Sequence, residues 1–275
     1  MLFAHCRGSR RSVLVPLAAL AAASAFAFPA AADEPPLGIN LIQNPGADLG
    51  PTSVNGQFSV VVPGWSVSGN CTVASYVNTA GLPSPTSPGS PDRGASFFIG
   101  GPTNSTATVG QVISLDLLSD LIDSDRAEFV LSAWLGGTAN QDDSALCIAV
   151  FNDANGDSLS TVSLTGPTAV GRQHQTGMVE RSRAGVIPIG SRSVNVVLLM
   201  SRVIGPFNDG CADDVSLVVT EGYCPSDWNQ NTAVDSDDIV AFFGDWESGE
   251  GDFDRDDDTD SDDVFQFFLL WDSGC

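Results

Sequence analysis

Lysine is absent from this sequence, and all 11 basic residues are arginine. Set against 34 acidic residues they leave a net charge of −23. Such a chain has no basic surface with which to neutralise the phosphates of a nucleic acid, and an anionic membrane surface is excluded on the same ground. Histidine is almost as scarce: beyond residue 32 only His174 remains, in the polar stretch Arg172-Gln173-His174-Gln175. One histidine cannot assemble a zinc site of the usual kind, and no two cysteines stand in C-x-x-C spacing. A Ser-His-Asp triad would have to use His174, yet no serine lies in a G-x-S-x-G turn. A glycosidase needs only two carboxylates, and Glu128 and Glu180 qualify by residue type alone. With nothing in their setting to single them out, these residues read as loop and surface groups. Beyond the amino terminus, no apolar run is long enough to span a bilayer.

The amino terminus itself reads as an export signal. Arg7, Arg10 and Arg11 supply the charged region, Ser12 to Phe28 the apolar region, and Ala30-Ala31-Ala32 the small-residue cleavage site. Residues 1–32 are therefore expected to be removed, leaving a secreted or cell-surface protein with no membrane insertion after cleavage. Cys6 leaves with the signal. Cys71, Cys147, Cys211, Cys224 and Cys275 remain, in a compartment where oxidation is expected. Cys224 and Cys275 bracket the last segment of the chain, and a bond between them is the first choice. Closing a loop of that length contributes about 4 kcal/mol in the chain-entropy description. The other three cannot all pair within the chain, so at least one is free or bonded between chains.

Residues 37–220 carry strand signals almost throughout. Runs at Phe58–Val62, Thr106–Val112, Glu128–Leu135, Ala145–Phe151, Ser158–Leu164, Ser193–Leu199 and Val215–Val219 are separated by Gly, Pro, Asn and Asp clusters. Many short strands at such spacing predict an all-β sandwich. The Pro-rich residues 83–92 can only be a surface loop, and Leu115 to Ile122 is the one short helix expected before the last segment. Trp65, Tyr76, Trp134 and Phe207 are the aromatics able to form a sugar platform. Aromatics in strand-rich segments are more often core, and Trp134, in an apolar run, is expected there.

Four segments together resemble the galactose-binding-like jelly rolls, the sandwich shared by many carbohydrate-binding modules of secreted bacterial proteins. They are Asn40–Asp48 (Asn-Leu-Ile-Gln-Asn-Pro-Gly-Ala-Asp), Gly64-Trp65, Ser132–Gly137 and Phe207–Leu217. The resemblance implies that the start of the domain lies beside its last strand and that a structural Ca²⁺ ties the two together. Its ligands would be Asp48 and Asp213. By the period of two, Asp213 points the same way as Val215 and Leu217, so it is expected to be buried, and a buried carboxylate needs a cation or several donors. Capping of backbone amides in a turn is the other reading of these residues.

The acid is concentrated at the other end of the chain: residues 221–275 hold 17 carboxylates and one base, Arg255. This segment repeats at a shift of 25 residues. Asp227 falls on Asp252, Ser236-Asp237-Asp238 on Ser261-Asp262-Asp263, Phe242-Phe243 on Phe267-Phe268, and Trp246 on Trp271. Two copies of one supersecondary unit follow. Counting each loop from its first Asp, side-chain oxygens fall at places 1, 3, 5, 9 and 12: Asp227, Asn229, Asn231, Asp235 and Asp238, then Asp252, Asp254, Asp256, Asp260 and Asp263. Place 7 offers a backbone carbonyl, from Ala233 and Asp258. This is the ligand spacing of an EF-hand-style Ca²⁺ loop, since the cation takes six to eight hard oxygens and a tightly wound loop turns alternate residues inward. Place 12 is Asp rather than Glu, and no helix leads into either loop. Place 6, usually a glycine at positive φ, is Thr232 in one copy and Asp257 in the other; Asp tolerates that region better, so the second loop is expected to bind tighter. Ile239, Phe242, Phe243 and Trp246 form one apolar helix face, as do Val264, Phe267, Phe268 and Trp271.

Spacing, duplication and apolar face together resemble the dockerin family, in a Cys-bracketed variant similar to those of exported planctomycete proteins. The resemblance implies two Ca²⁺ ions in this segment, a cohesin-like protein partner, and partner-facing residues at places 10 and 11, here Ser236, Asp237, Ser261 and Asp262. The expected architecture is mainly β: a signal over 1–32, a jelly-roll sandwich over 33–220 and a small helical dockerin-like domain over 221–275. The expected function is docking of a non-catalytic, carbohydrate-binding sandwich onto a partner or cell-surface assembly, with a polysaccharide as second partner. A glycoside hydrolase component of polysaccharide breakdown and a structural surface protein are the alternatives.

Overall fold

A computed structural model describes residues 34–231, 233–256 and 258–273. The expected export signal over residues 1–32, Thr232, Asp257 and Cys275 lie outside the described residues. Ten strands form the body: β1 Ser66–Ser68, β2 Thr72–Ser75, β3 Ser96–Pro102, β4 Thr106–Ser114, β5 Ala127–Gly137, β6 Ser144–Asn152, β7 Ser158–Thr165, β8 Gly177–Val186, β9 Ser193–Ser201 and β10 Phe207–Glu221. They pair antiparallel in two five-stranded sheets, ordered β1-β4-β9-β6-β7 and β2-β3-β10-β5-β8. This is the expected sandwich. The expected short helix is present as a 3₁₀ turn at Asp116–Leu118 running into α1, Ser119–Asp123. The carboxyl end adds α2, Ser236–Ser248, and α3, Ser261–Ser273. Among the described residues no helix is long and apolar enough to cross a membrane.

Between the sheets lies the main core, which includes Phe98, Val109, Phe129, Leu131, Phe151, Val196, Leu198 and Leu217. Phe129 meets Phe151 with ring centroids 5.0 Å apart, and Trp65 meets Phe98 edge-on at the same distance. A second, smaller core of Ala74, Tyr76, Leu82, Phe97, Ile99, Met178 and Cys211 sits on the opposite side of the second sheet. The Pro-rich loop folds over it. Arg93 pins that loop by donating to the carbonyls of Ser84, Ser87 and Ser90, and its guanidinium lies 5.2 Å over the Tyr76 ring. Central strands are thus covered on both faces, which leaves β3 almost wholly buried.

The amino-terminal segment runs along the last strand. Asn40 donates to the Val215 carbonyl and accepts from the Leu217 amide, and Leu41 N donates to Leu217 O. One expected strand is missing: Phe58–Val62 joins no sheet, with Phe58 and Val61 exposed. The Thr72 hydroxyl stands in for a ladder partner, accepting from Val60 N and donating to Phe58 O.

Cys71, Cys147 and Cys211 are all free and fully buried, which corrects the expectation of oxidation. Burial pushes the Cys71 and Cys147 thiols up to about 12 and raises Cys211 further. They behave as small core hydrophobes. Cys224 is disulfide-bonded; its expected partner, Cys275, is among the residues not described.

Candidate metal centre

Each repeat at the carboxyl end builds its loop onto the start of its helix. Asp235 is the N-cap of α2: its side chain accepts from Asp237 N at 2.9 Å, and Asp238 closes a capping box by accepting from Asp235 N at 2.9 Å. The second repeat copies this, with Asp260 accepting from Asp262 N and Asp263 from Asp260 N, both at 2.7 Å. The place-12 carboxylate also reaches back across the loop. Asp238 Oδ1 accepts from Asn229 N at 3.1 Å, and Asp263 Oδ1 accepts from Phe253 N at 2.6 Å and Asp254 N at 3.2 Å. Both groups are buried, unlike most of the acids around them. The shorter Asp therefore acts as a clasp that ties places 2, 3 and 9 together. Burial works against the charge on Asp263, but the amides of Asp260, Asp254 and Phe253 outweigh it and hold the carboxyl below its ordinary value.

The loop interiors match as well. Asn231 N donates to Asp227 Oδ1 and Asn229 Oδ1, and Ala233 N to Asn231 Oδ1. In the second copy Asp256 N donates to Asp252 Oδ1 and Asp258 N to Asp256 Oδ1. Place 4 is left-handed in both, at Gln230 (φ 56°) and Arg255 (φ 63°). The second loop carries the charge. Ligand atoms of Asp252, Asp254 and Asp256 lie within 4.8 Å of one another, and so do those of Asp258, Asp260 and Asp263. Asp258 thus brings a side chain as well as the carbonyl expected of it. Crowding raises two of these groups: Asp254 by desolvation and then Asp256, Asp258 by the charges of Asp256 and Asp260. The one base in the segment turns away, since Arg255 faces Asp125 at 3.6 Å. An all-oxygen donor set with an uncompensated excess of charge fits Ca²⁺. The first loop offers fewer charges, because Asn229 and Asn231 stand where the second loop has Asp254 and Asp256.

The two copies hold each other. Phe242 and Phe267, both fully buried, stack face to face at 4.2 Å and 2°. Trp228 and Phe253, the place-2 residues, pack their edges against this pair. The tryptophans then cross over: Trp246 Nε1 of the first copy donates to Asp260 O of the second at 2.8 Å, and Trp271 Nε1 donates to Asp235 O at 3.1 Å. Ser236, Asp237, Ser261 and Asp262 remain exposed, next to the outward-facing Val240, Phe265 and Leu269.

In the sandwich, Asp48 and Asp213 do approach one another, joined by Asp214, which the sequence reading missed. A Cβ placed on Gly46 would lie 2.9 Å from Asp48 Oδ2, 3.1 Å from Asp213 Oδ1 and 3.5 Å from Asp214 Oδ1. Asp48 Oδ1 is occupied by the amides of Ala95 and Ser96, as in the turn-capping reading, whereas the buried Asp214 Oδ2 has no hydrogen-bond partner. Asp213 is fully buried as expected, but on the other face of the sheet. A bulge between Asp213 and Ser216, with Asp214 at φ 43°, breaks the period of two. Val215 and Leu217 enter the main core, while Asp213 bonds Tyr76 Oη beneath the Pro-rich loop. Burial is the chief reason its carboxyl is pushed up to about 7, with Asp214 adding to the effect and the Tyr76 hydrogen bond opposing it.

Trp134 is half-buried on the face of β5 away from the main core, where it packs against the smaller core. Glu128 and Glu180 are exposed, and through Trp134, the partner of Glu180, they stand six residues apart along β5. That is roughly 20 Å at strand rise, well beyond the 5–9.5 Å that glycoside hydrolysis uses. His174 is exposed in a loop.

No protein-family model matches the chain, and no curated protein matches it. Among solved structures it is similar to the enzymatically active domain of bacteriophage CBA120 tailspike protein 4, with TM-score 0.42 and 18% identity over 66% of this chain and 21% of that one. It is similar to the CBM22-1 xylan-binding domain of Paenibacillus barcinonensis Xyn10C, with TM-score 0.33 and 13% identity over 62% and 93%. A family 16 carbohydrate-binding module also matches, with TM-score 0.33 and 19% identity over 46% and 79%. The chain spans about a fifth of the tailspike chain. Every one of these scores is below 0.5, a level from which no shared function follows.

Proposed function

We propose that this is an exported, non-catalytic binding protein in which a Ca²⁺-dependent, dockerin-like module docks a carbohydrate-binding sandwich onto a cohesin-like partner or a cell-surface assembly. The observation that carries the reading is the doubled loop, in which two copies repeat one hydrogen-bond pattern and exchange tryptophan contacts. Asp227, Asn229, Asn231, Ala233, Asp235 and Asp238 would hold one cation. Asp252, Asp254, Asp256, Asp258, Asp260 and Asp263 would hold the other. Bound Ca²⁺ would cancel the repulsion that raises Asp258 and that adds to desolvation at Asp254; the chain's own carboxylates close the loops and start the helices. Asp48 and Asp213, with Asp214, would hold a third, structural cation in the sandwich.

The exposed pairs Ser236-Asp237 and Ser261-Asp262, flanked by Val240 and Phe265 at matching places, supply an apolar face with a polar rim in each copy. That composition suits a protein partner, and the doubling lets either copy face it. Calorimetric titration of the chelator-treated chain with Ca²⁺ tests the metal step, with two high-affinity equivalents expected from residues 227–263. Absence of Ca²⁺ binding, or binding unchanged by Asp252→Ala with Asp254→Ala, overturns it. Capture by an immobilised cohesin domain in Ca²⁺ but not in chelator tests the docking step; unchanged capture after all four partner-facing residues become Ala counts against it.

A further inference from the structure

Five segments, loops and strand ends, meet at one end of the sandwich and line an open cavity of about 460 Å³. Its walls come from Asn55 and Gln57, from Ala80 and Leu82, from Pro102 and Thr103, from Thr138 and Gln141, and from Phe207 and Asp209. The volume suits a ligand of one or two sugar rings.

The walls are held from behind. Arg172 is 5% exposed and makes no ion pair among the described residues; its guanidinium donates to the carbonyls of Thr138, Ala139 and Gln141 and to that of Pro167. Asp143, fully buried, accepts from the amides of Val203, Ile204 and Asp209, which sets the loop before β10. Thr103 N bonds Pro206 O, and Asn55 is tied to Thr79. With its shape set by these bonds, the cavity can take a ligand without ordering its own backbone.

Inside, the chemistry is mixed. Phe207 is half-buried, one edge on the smaller core and the ring at the cavity. Beneath the wall surface two polar atoms, Thr138 Oγ1 and Gln141 Oε1, are buried with no hydrogen-bond partner. Such atoms are costly unless something satisfies them. Asp209 is the only ionisable wall residue. Asp143 and Arg172 stand behind it, and burial together with the Asp143 charge lifts its carboxyl to about 6. A neutral hydroxylated ring would present an apolar face to Phe207 and hydroxyls to Asn55, Gln57 and the hydrogen-bonded pair Gln141 and Asp209. A ring bearing its own carboxylate would meet Asp209 backed by Asp143, while the two bases at the walls, Arg172 and Arg202, are turned to the carbonyls of Gln141 and Pro206.

We propose that this loop-end cavity is the sandwich's ligand site and that it takes a neutral sugar unit, discriminating against uronic acids. The proposal rests on the reading of the sandwich as carbohydrate-binding and adds the place and the ligand class. It also separates binding from hydrolysis: with one wall carboxylate, this cavity lacks the acid–base pair that glycoside cleavage needs.

The test is calorimetric titration of the full chain at pH 7.5 with glucose, galactose, mannose and xylose, their β-linked disaccharides and the matching uronates. At least one neutral sugar is expected to saturate, with its uronate at least tenfold weaker. Phe207→Ala and Gln141→Ala should each weaken binding at least tenfold. Gln57→Ala, at an exposed residue that bonds only the Asn55 carbonyl, should do so without moving the melting temperature, which keeps the test open if the other variants misfold. Binding by the parent chain that all well-folded variants retain overturns the site and leaves the carbohydrate reading standing. No binding of any neutral sugar overturns both. Equal or tighter uronate binding overturns the ligand class.

Discussion

Asp213 shows how much one residue's surroundings decide. Its carboxyl sits under a loop against Tyr76, and burial pushes it up to about 7, above the ordinary carboxylate range. Without a cation, the folded state then holds a proton there that the unfolded chain has already released. Between roughly pH 4, the unfolded value, and pH 7, stability therefore falls as pH rises, by linkage. The melting temperature in chelator is expected to be higher at pH 5 than at pH 8, and Asp213→Asn to flatten that slope. An unchanged slope in the variant would show that another group sets it. Asp238 and Asp263 are the opposite case, buried but met by backbone donors. Asp263→Ala would leave the amides of Phe253, Asp254 and Asp260 without this acceptor, costing about 2–3 kcal/mol in the module by the penalty for such groups. Denaturant unfolding in chelator, followed by tryptophan fluorescence, measures it.

Elements were legible in the sequence where one face was dry and the other wet. β4, β5, β6, β7 and β9 all stood out as runs rich in apolar and β-branched residues between Gly, Pro, Asn and Asp clusters, and β5, β6 and β9 bury every second residue along most of their length. β3, Ser-Phe-Phe-Ile-Gly-Gly-Pro, is buried on both faces and has no alternation to read. β8, with Glu180, Arg181 and Arg183, is an edge strand whose charges mask it. Phe58–Val62 has the composition of a strand but lost its partner to a threonine hydroxyl. At the carboxyl end the repeat itself was the signal, so loops and helices appeared together. The bulge at Asp214 had no such signature, and the loop-end cavity draws on five segments spread from residue 55 to residue 209. Sequence neighbours say nothing of a site assembled that way. The packed helices carry their own prediction. Phe267→Ala should cost about 3–5 kcal/mol, the usual range for emptying a buried aromatic place, and should lower Ca²⁺ affinity at both loops, because Phe267 stacks on Phe242 of the other repeat. Site-resolved calorimetry with Asp227→Ala and Asp252→Ala backgrounds would detect an effect confined to one loop, which would contradict the packing argument. In the same backgrounds, the loop starting at Asp252 is expected to bind more tightly than that starting at Asp227, since it holds more carboxylates; equal affinities would refute this.

For the molecule as a whole, charge and thiols are segregated. The acid is gathered at the carboxyl end, and three unpaired cysteines are sealed in the sandwich. Iodoacetamide should leave Cys71, Cys147 and Cys211 unlabelled in the native chain and modify all three once it is unfolded; native labelling, read by mass spectrometry, would mean that the sandwich opens. Ca²⁺ removal should loosen residues 222–273 and spare the β-sandwich, seen as protease cuts confined to that segment. The crossed tryptophans set a limit on how this end of the protein can be divided. Each helix completes its hydrogen bonding on the other copy's loop, so neither 25-residue copy is a transferable part. A chain given only one copy would find the missing half on a second molecule. Grafted singly onto another protein, the repeat would then act as a dimerisation tag rather than as half of a docking module.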